Sequence, residues 1–269
     1  MRRRDFIVGI AGSTVLLPMS ARAQRAGDPA PGGMLGTEAK VTAGKIDQFI
    51  EGVRSHVDAM AQPAWTAAGA IEQRRFASLQ LLRRAPAVTA IGQIDGAGTE
   101  QIRVSRLPLD VLANKRDYSQ DPKFTAAVVN GIYYGPVYFV DASEPYMTLS
   151  VAGPRPYAGV NIADVSLNEV QRIVSATKIG DHGVVYVVDD QGRVIAHSDI
   201  SLVQRDFSSL AQVQIAREAG SAPQPDNAQV AWDSNGREVL TSYAAVARLR
   251  WLVLVELPME EVNAPASPR

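Results

Sequence analysis

Two stretches of the chain decide its fold: Ile91–Val104, with the sequence IGQIDGAGTEQIRV, and Val185–Ala196, with the sequence VYVVDDQGRVIA. Each stretch has the pattern of an apolar strand, an Asp-x-x-Gly turn and a second strand. Asp95 and Asp189 lie 94 residues apart, and the two turn glycines repeat this spacing. Because the Asp side chain caps such a turn and the Gly supplies the positive φ that closes it, we predict a β-hairpin in both stretches.

The spacing of 94 residues continues beyond the hairpins. Glu144–Val151 falls on Glu238–Ala245, and Tyr157–Val165 falls on Trp251–Met259. A helix with one apolar face, Leu167–Lys178, precedes the second hairpin. Three elements that share one spacing indicate that a whole module is duplicated. We therefore predict an α+β fold, in which a long N-terminal stalk helix is followed by two tandem PAS-like modules with antiparallel sheets.

We predict the modules over residues 85–165 and 166–259, with a tail at residues 260–269 and a helical stalk at residues 41–84. In the first stalk helix, apolar residues recur at spacings of 4, 3, 4 and 3, which is typical of a helix packed along one face. These residues are Ile46, Ile50, Val53, Val57 and Met60. The stripe fits either this chain's own core or the seam of a homodimer or of a complex with a membrane receptor.

A second stalk segment follows the helix breaker Pro63 and ends before Pro86, and its pattern places Phe76, Leu79 and Leu82 on one face. Ahead of the stalk, the stretch from residue 28 to residue 36 is rich in Pro and Gly. We predict a flexible leader over residues 24–40.

The first 23 residues have the pattern of an export signal. Three arginines, Arg2 to Arg4, precede a short uncharged run, and Ala21-Arg22-Ala23 forms a cleavage site. The arginines match the twin-arginine type, and a general secretory signal is the alternative. No second membrane segment follows the last predicted strand, so we expect a soluble periplasmic protein with a cleaved signal. Anchoring by an uncleaved signal is the alternative.

Composition excludes several functions. The chain has no cysteine, so it has no disulfide framework and no thiol chemistry. Its net charge of −1, without a basic stripe, gives no basis for nucleic-acid binding. The three histidines are scattered and accompany no known catalytic or metal-binding motif. We therefore expect no enzymatic activity, no metal and no cofactor.

Candidate ligand-binding residues cluster in the first module. The stretch from residue 118 to residue 146 contains five of the eight tyrosines, together with several acids. Aromatic faces with polar tips and converging polar groups are what small-molecule sites require. The candidates from this cluster are Tyr118, Asp121, Tyr134, Tyr138 and Tyr146. Residues 185–259 offer mainly Val, Leu and Ala on their strands, so we expect no comparable polar cluster in the second module.

A family resemblance extends this interpretation. Its segments, in chain order, are RRAPAVTAI from Arg83, DYSQDPKF from Asp117, YGPVYF from Tyr134, EPYMT from Glu144 and YVVDDQGRVIAHSD from Tyr186. The combination resembles a double Cache (dCache) domain, the extracytoplasmic sensor of bacterial chemoreceptors, histidine kinases and cyclases. The resemblance covers roughly residues 40–259. It implies a membrane-distal module that binds a small ligand and a membrane-proximal module that relays the signal.

In the amino-acid-binding branch of that family, an Arg-x-Trp-Tyr segment holds the ligand carboxylate and a later Asp holds the ammonium. By resemblance, Asp141 occupies the place of that Asp and Phe124 lies near the aromatic position. The segment itself is missing, because residues 120–124 read QDPKF. Arg103 or Arg106 is the candidate substitute for its arginine. A carboxylic acid or an amine is the expected ligand, and the alternative function is an interaction module that docks on a receptor without binding a ligand.

Overall fold

The computed structural model describes residues 31–60, 64–106, 111–112, 115–140, 144–155, 158–220 and 228–264. The predicted export signal lies outside these residues, as does Asp141. Six α-helices are described: α1 Pro31–Asp58, α2 Ala70–Arg84, α3 Pro122–Asn130, α4 Asn168–Ala176, α5 Ala211–Ala219 and α6 Met259–Val262. They are combined with two antiparallel sheets, so the predicted α+β architecture of two sheet modules behind a long helix is confirmed.

The first sheet has seven strands in the order β3-β2-β1-β7-β6-β4, and β5 also pairs with β6. Its strands are β1 Val88–Ile94, β2 Glu100–Ser105, β3 Val111–Leu112, β4 Ile132–Tyr134, β5 Tyr138–Val140, β6 Glu144–Ala152 and β7 Val160–Ser166. The second sheet has the order β10-β11-β12-β8-β9. Its strands are β8 Val184–Val188, β9 Val194–His197, β10 Gln229–Trp232, β11 Glu238–Val246 and β12 Trp251–Pro258.

The two predicted hairpins are β1–β2 and β8–β9, and their turns have the same hydrogen bonds. Asp95 Oδ1 accepts bonds from the backbone N–H groups of residues 97 and 99, and Asp189 Oδ1 accepts from those of residues 191 and 193. Gly98 and Gly192 have φ values of 88° and 91°. An ideal Cβ on either glycine would lie 2.7 Å from a serine backbone in the following crossing, so both turns require glycine.

Strand register shows that the spacing of 94 residues holds only within the hairpins. Gly92 pairs with Arg103 and Ile162, whereas its counterpart Tyr186 pairs with His197 and Leu254. The spacing is therefore 94 between β2 and β9 but 92 between β7 and β12. Likewise, the spacing between β6 and β11 is 93. The expected alignment of these later strands was wrong by one or two residues, because the crossings that lead to them differ in length.

The predicted stripe of α1 belongs to this chain's own core. Helix α1 packs on β11 and β12 and its four stripe residues are buried, while Met60, just beyond the helix, is buried beside Gln93 of the first sheet. The interpretation of the stripe as a seam for a second chain is therefore wrong for these side chains. Burial of this apolar face against a sheet stabilises the helix more than its intrinsic propensity does.

Residues 31–40 are helical, although they were predicted as part of the leader. Leu35 and Ala39 are fully buried against the second sheet. An ideal Cβ on Gly36 would lie 3.4 Å from Ser242 Oγ, so the glycine brings the helix close to β11. The glycines that suggested flexibility allow close packing instead. At the other end, α6 includes the first residues of the predicted tail.

The predicted face of α2 was wrong in part, because Leu79 packs against the main core as expected but Phe76 does not. Leu82 is buried, but Phe76 is 61% exposed, while Arg74 is 1% exposed. The Arg74 guanidinium donates to Gln93 Oε1 at 2.8 Å and lies 3.6 Å from the ring centroid of Trp65. Burial lowers the pKa of Arg74 to about 10. These contacts turn a polar side of α2 towards the first sheet, because hydrogen bonding and stacking satisfy the arginine there.

Candidate functional site

The candidate site lies on the outer face of the first sheet, which is the face covered by α3. Side chains alternate between the two faces of a strand. Ile102, Met147 and Val165 point into the main core towards α1 and α2. The residues next to them therefore point outwards. This alternation places Arg103, Tyr146 and Asp164 on the outer face, on strands β2, β6 and β7, together with Thr148.

A group of three ionisable side chains occupies the centre of this face. Arg103 Nη2 donates to Asp164 Oδ2, and Arg103 Nη1 lies 3.4 Å from Glu100 Oε1. Burial alone would lower the pKa of Arg103, but the carboxylates of Asp164 and Glu100 raise it above its ordinary value. The Glu100 side chain is 1% exposed. With both acids ionised, the group has one positive and two negative charges.

Two predicted tyrosines join this group. Tyr138 and Tyr146 are cross-strand partners, and their rings stack with centroids 5.9 Å apart and planes 24° apart. Burial and the nearby Asp164 carboxylate raise the pKa of Tyr138 to about 12. The hydroxyl of Tyr138 bonds with Asp164, and that of Tyr146 donates to Glu144 Oε2 at 3.3 Å. The aromatic faces and the ion pair thus lie side by side.

The other end of the outer face is apolar. Tyr118 and Phe124 are buried in a cluster with Ile94, Val160 and Ile162. Burial raises the pKa of Tyr118, and the Glu100 carboxylate adds to the effect. Between the two ends lies β6, where Ser150 is fully buried and its hydroxyl has no hydrogen-bond partner among the described residues. The face therefore has an apolar wall, an unpaired hydroxyl and a charged end.

Five of the eight predicted residues are on this face: Arg103, Tyr118, Phe124, Tyr138 and Tyr146. Asp121 is instead the N-cap of α3, and its carboxylate accepts the backbone N–H of Lys123 at 2.9 Å. The Asp-Pro pair at residues 121–122 is a local signal for this role. Asp141 lies outside the described residues, so its role stays a prediction.

Tyr134 lies on the opposite face of the sheet, where it packs against the main core. Asp47 and the Tyr134 hydroxyl together raise the pKa of Arg248. Tyr134 therefore lies apart from the other five residues, and its role as a ligand residue stays a prediction. The sequence showed two adjacent tyrosines, Tyr133 and Tyr134, and strand alternation turns only the first towards the outer face.

Sequence reasoning missed Asp164, Glu100 and Thr148. The acid at position 164 interrupts the otherwise apolar strand VNIADVS, and a charge in a buried strand was the available signal. The expectation of no polar cluster in the second module was also wrong. Glu256 and His197 are both 4% exposed on the outer face of the second sheet.

Within the described residues, no group of three or more His, Asp or Glu side chains is placed to hold a metal ion. No helix in the described part of the chain has both the length and the apolar character needed to cross a membrane.

A family model described as "dCache_1: Cache domain" matches residues 33–266. Among curated proteins, the methyl-accepting chemotaxis protein PscA of Pseudomonas syringae pv. tomato is 24% identical over 132 residues. That alignment covers 47% of this chain and 20% of PscA, so the chain corresponds to a small part of the relative's length.

Solved structures share the fold. The ligand-binding domain of the Campylobacter jejuni chemoreceptor Tlp3, in complex with 4-methylisoleucine, is 15% identical with a TM-score of 0.69, covering 89% of this chain and 95% of that one. The ligand-binding domain of the Pseudomonas aeruginosa PAO1 amino-acid chemoreceptor PctC, in complex with GABA, is 20% identical with a TM-score of 0.61. That match covers 84% of this chain and 99% of the other.

Proposed function

Since the chain belongs to the Cache domain family dCache_1, we propose that it is an extracytoplasmic, non-catalytic sensor that binds a small organic molecule on the outer face of the first sheet. The observation that carries the proposal is the group of Arg103, Asp164 and Tyr138 beside the apolar wall of that face. Shielded charges that converge next to aromatic rings are typical of small-ligand sites. The ligands named for the Tlp3 and PctC structures each carry an amino group and a carboxylate, which supports a small charged organic molecule here.

The ligand is an amine. The group of Arg103, Asp164 and Glu100 holds two acids and one base, so an ammonium group would complement it, and the ring and hydroxyl of Tyr138 lie beside Asp164. A ligand carboxylate would need a guanidinium, but Arg103 is already bonded to both Asp164 and Glu100. Displacing both acids from Arg103 would leave the buried Glu100 and the part-buried Asp164 without their cation, which is costly. The ion pair therefore supports an amine over a carboxylic acid.

The experiment is calorimetric titration of the protein with a series of organic amines and the corresponding carboxylic acids, repeated with Asp164→Asn. An amine that binds the wild type should bind the variant about tenfold to a hundredfold more weakly, because a charge-assisted hydrogen bond contributes about 1.5–3 kcal/mol. Binding of acids alone, or equal amine affinity in the wild type and in Asp164→Asn, would contradict the proposal.

The matched control is Asp233→Asn in the second module. Asp233 is also a buried acid, and it is paired with Arg237 at 2.8 Å. Removing it takes away a similar ion pair without touching the proposed site. We expect unchanged amine affinity in this control, which separates a local effect on binding from a general loss of stability.

The localisation belongs to the same proposal. The arginine-rich start and the Ala21-Arg22-Ala23 site support export to the periplasm with cleavage of the signal. A membrane receptor that reads the ligand-bound state is the proposed partner. The alternative of docking without a ligand relied on the α1 stripe, and those side chains are buried in this chain's own core.

A further inference from the structure

The second sheet repeats several positions of the candidate site. Gly92 pairs with Arg103, and 94 residues later Tyr186 pairs with His197. Because the register of the two hairpins is the same, including the irregularity before the turn, these are equivalent positions on the outer faces. His197 therefore occupies the place of Arg103, and Tyr186 occupies the place of a glycine.

The acid of the site is repeated as well. Asp164 is the strand partner of Ala90 and Thr148, whereas Glu256 is the partner of Val184 and Thr241. Both acids thus have a threonine beside them on the same face, and both threonines are buried. Tyr118 directly follows Asp117, whose carboxylate caps a bend, and Phe207 directly follows Asp206, whose carboxylate does the same. The ring of Phe207 is therefore the counterpart of the ring of Tyr118.

The two sites differ in what fills them. The Tyr186 side chain is 1% exposed, and its hydroxyl donates to Glu256 Oε1 at 2.6 Å. Its ring stacks on His197, with centroids 5.5 Å apart, and meets the edge of Phe207 at 5.4 Å. A cavity of about 30 Å³ remains beside these side chains, which is room for about one water molecule.

Two polar atoms near Glu256 show that its surroundings are not fully satisfied. Gln212 donates from Nε2 to Glu256 Oε1 at 2.9 Å, but its Oε1 is buried without a hydrogen-bond partner among the described residues. The same holds for Thr241 Oγ1. Burial raises the pKa of Glu256, and the bonds from Tyr186 and Gln212 oppose that shift. Such groups are typical of a polar site and unusual in a core that serves packing alone.

We propose that the second module contains a closed small-molecule site, equivalent to the candidate site of the first module, in which the phenol of Tyr186 is the built-in occupant. The ring lies between two aromatic side chains and its hydroxyl bonds to the acid, as a bound phenol would. The first module has Gly92 at this position, so no side chain of its own occupies the corresponding place beside Glu100 and Arg103. The comparison between modules rests on the proposed function, whereas the occupancy by Tyr186 stands on the second module's own contacts.

The experiment replaces the built-in occupant. In Tyr186→Ala, the ring and hydroxyl are absent, and added phenol should bind and raise the melting temperature, with no such effect on the wild type. Benzene matches the ring but lacks the hydroxyl, so its affinity for the variant should be several-fold lower than that of phenol. Adding Glu256→Leu to Tyr186→Ala should abolish the preference for phenol over benzene.

Tyr243→Ala is the matched control, because Tyr243 is buried in the same cluster and no bond joins it to Glu256 among the hydrogen bonds described. A cavity there should show no preference for phenol. If Tyr186→Ala folds only when phenol is added, that dependence is the same positive result. A variant that binds neither compound, that binds both equally, or that stays unfolded with phenol overturns the proposal.

Amine binding by the first module is measured separately in Tyr186→Ala, so failure of one proposal is distinguishable from failure of the other.

Discussion

Arg193 offers the sharpest test of how the two modules are held together. It follows the turn of the second hairpin, yet its Nη2 donates to the carbonyl oxygen of Val137 in the first module at 2.6 Å. Its guanidinium also lies 5.3 Å from the ring centroid of Phe139. The equivalent position of the first hairpin holds Thr99, so this contact is particular to the second module.

The expected cost of Arg193→Ala follows from these contacts. A hydrogen bond that involves a charged group contributes about 1.5–3 kcal/mol. The lower part of this range applies because the Arg193 side chain is 38% exposed. The cation–π contact adds about 0.5–1 kcal/mol at an exposed site. We therefore expect a loss of about 2 kcal/mol in the free energy of unfolding.

The assay is urea unfolding followed by tryptophan fluorescence, since Trp65 reports on α2 through its contact with Arg74 and Trp251 reports on the second sheet. For an m-value of about 3 kcal/mol/M, a loss of about 2 kcal/mol lowers the midpoint by about 0.7 M. The matched control is Arg237→Ala. Arg237 follows a turn of the same Asp-x-x-Gly-Arg pattern and pairs with Asp233, but no contact of Arg237 with the first module is described.

Because the Arg237 side chain is 56% exposed, its ion pair should contribute at most about 1 kcal/mol. The expected contribution of the contact between modules is refuted if Arg193→Ala and Arg237→Ala lose equal stability, because that contact would then contribute nothing. It is also refuted if Arg193→Ala loses less than about 0.5 kcal/mol.

Two other predictions concern pH and export. Burial lowers the pKa of His197 from 6.5 to about 4, so the folded protein favours the neutral imidazole. The stability that this preference contributes should be fully present above pH 6.5 and should fall by about 3 kcal/mol as the pH drops from 6.5 to 4. His197→Asn should lack this pH dependence. Melting temperatures measured between pH 4 and 7 check this, and an unchanged slope in the variant would contradict it. Export with cleavage after Ala23 predicts that N-terminal sequencing of periplasmic protein starts at Gln24, and an intact start at Met1 on a membrane-bound protein would contradict that.

The parts of the fold that the sequence predicted correctly depend on short-range signals. The hairpin turns follow from an Asp and a Gly three residues apart, and both residues act within the turn itself. The prediction for the face of α2 failed in part because Arg74 is buried through its contacts with Trp65, which lies before the helix, and with Gln93, which lies on β1. Helix periodicity alone favours apolar residues at such a position.

The candidate site was only partly predictable for the same reason. Tyrosine crowding identified the correct sheet, but the choice between Tyr133 and Tyr134 depends on strand alternation. Asp164 becomes a site residue only because β1 places β2 and β7 on its two sides. The expected spacing of 94 residues aligns Asp164 with Pro258, whereas the strand register aligns it with Glu256, so the repeat alone could not show this correspondence.

The short strand β5 links the candidate site to the second module. Its successive side chains point to opposite faces, so Tyr138 contacts Tyr146 and Asp164 on the outer face, while Phe139 lies beneath Arg193 on the other. A ligand that moves the β5 backbone through Tyr138 also moves Phe139. Contact alone does not demonstrate coupling, because coupling is a free-energy difference between two states. Its measure is the amine affinity of Arg193→Ala. If Arg193 favours the ligand-free arrangement of β5, the affinity must rise in the variant; if it favours the bound one, the affinity must fall; and an unchanged affinity means that this contact holds the modules together without carrying a signal.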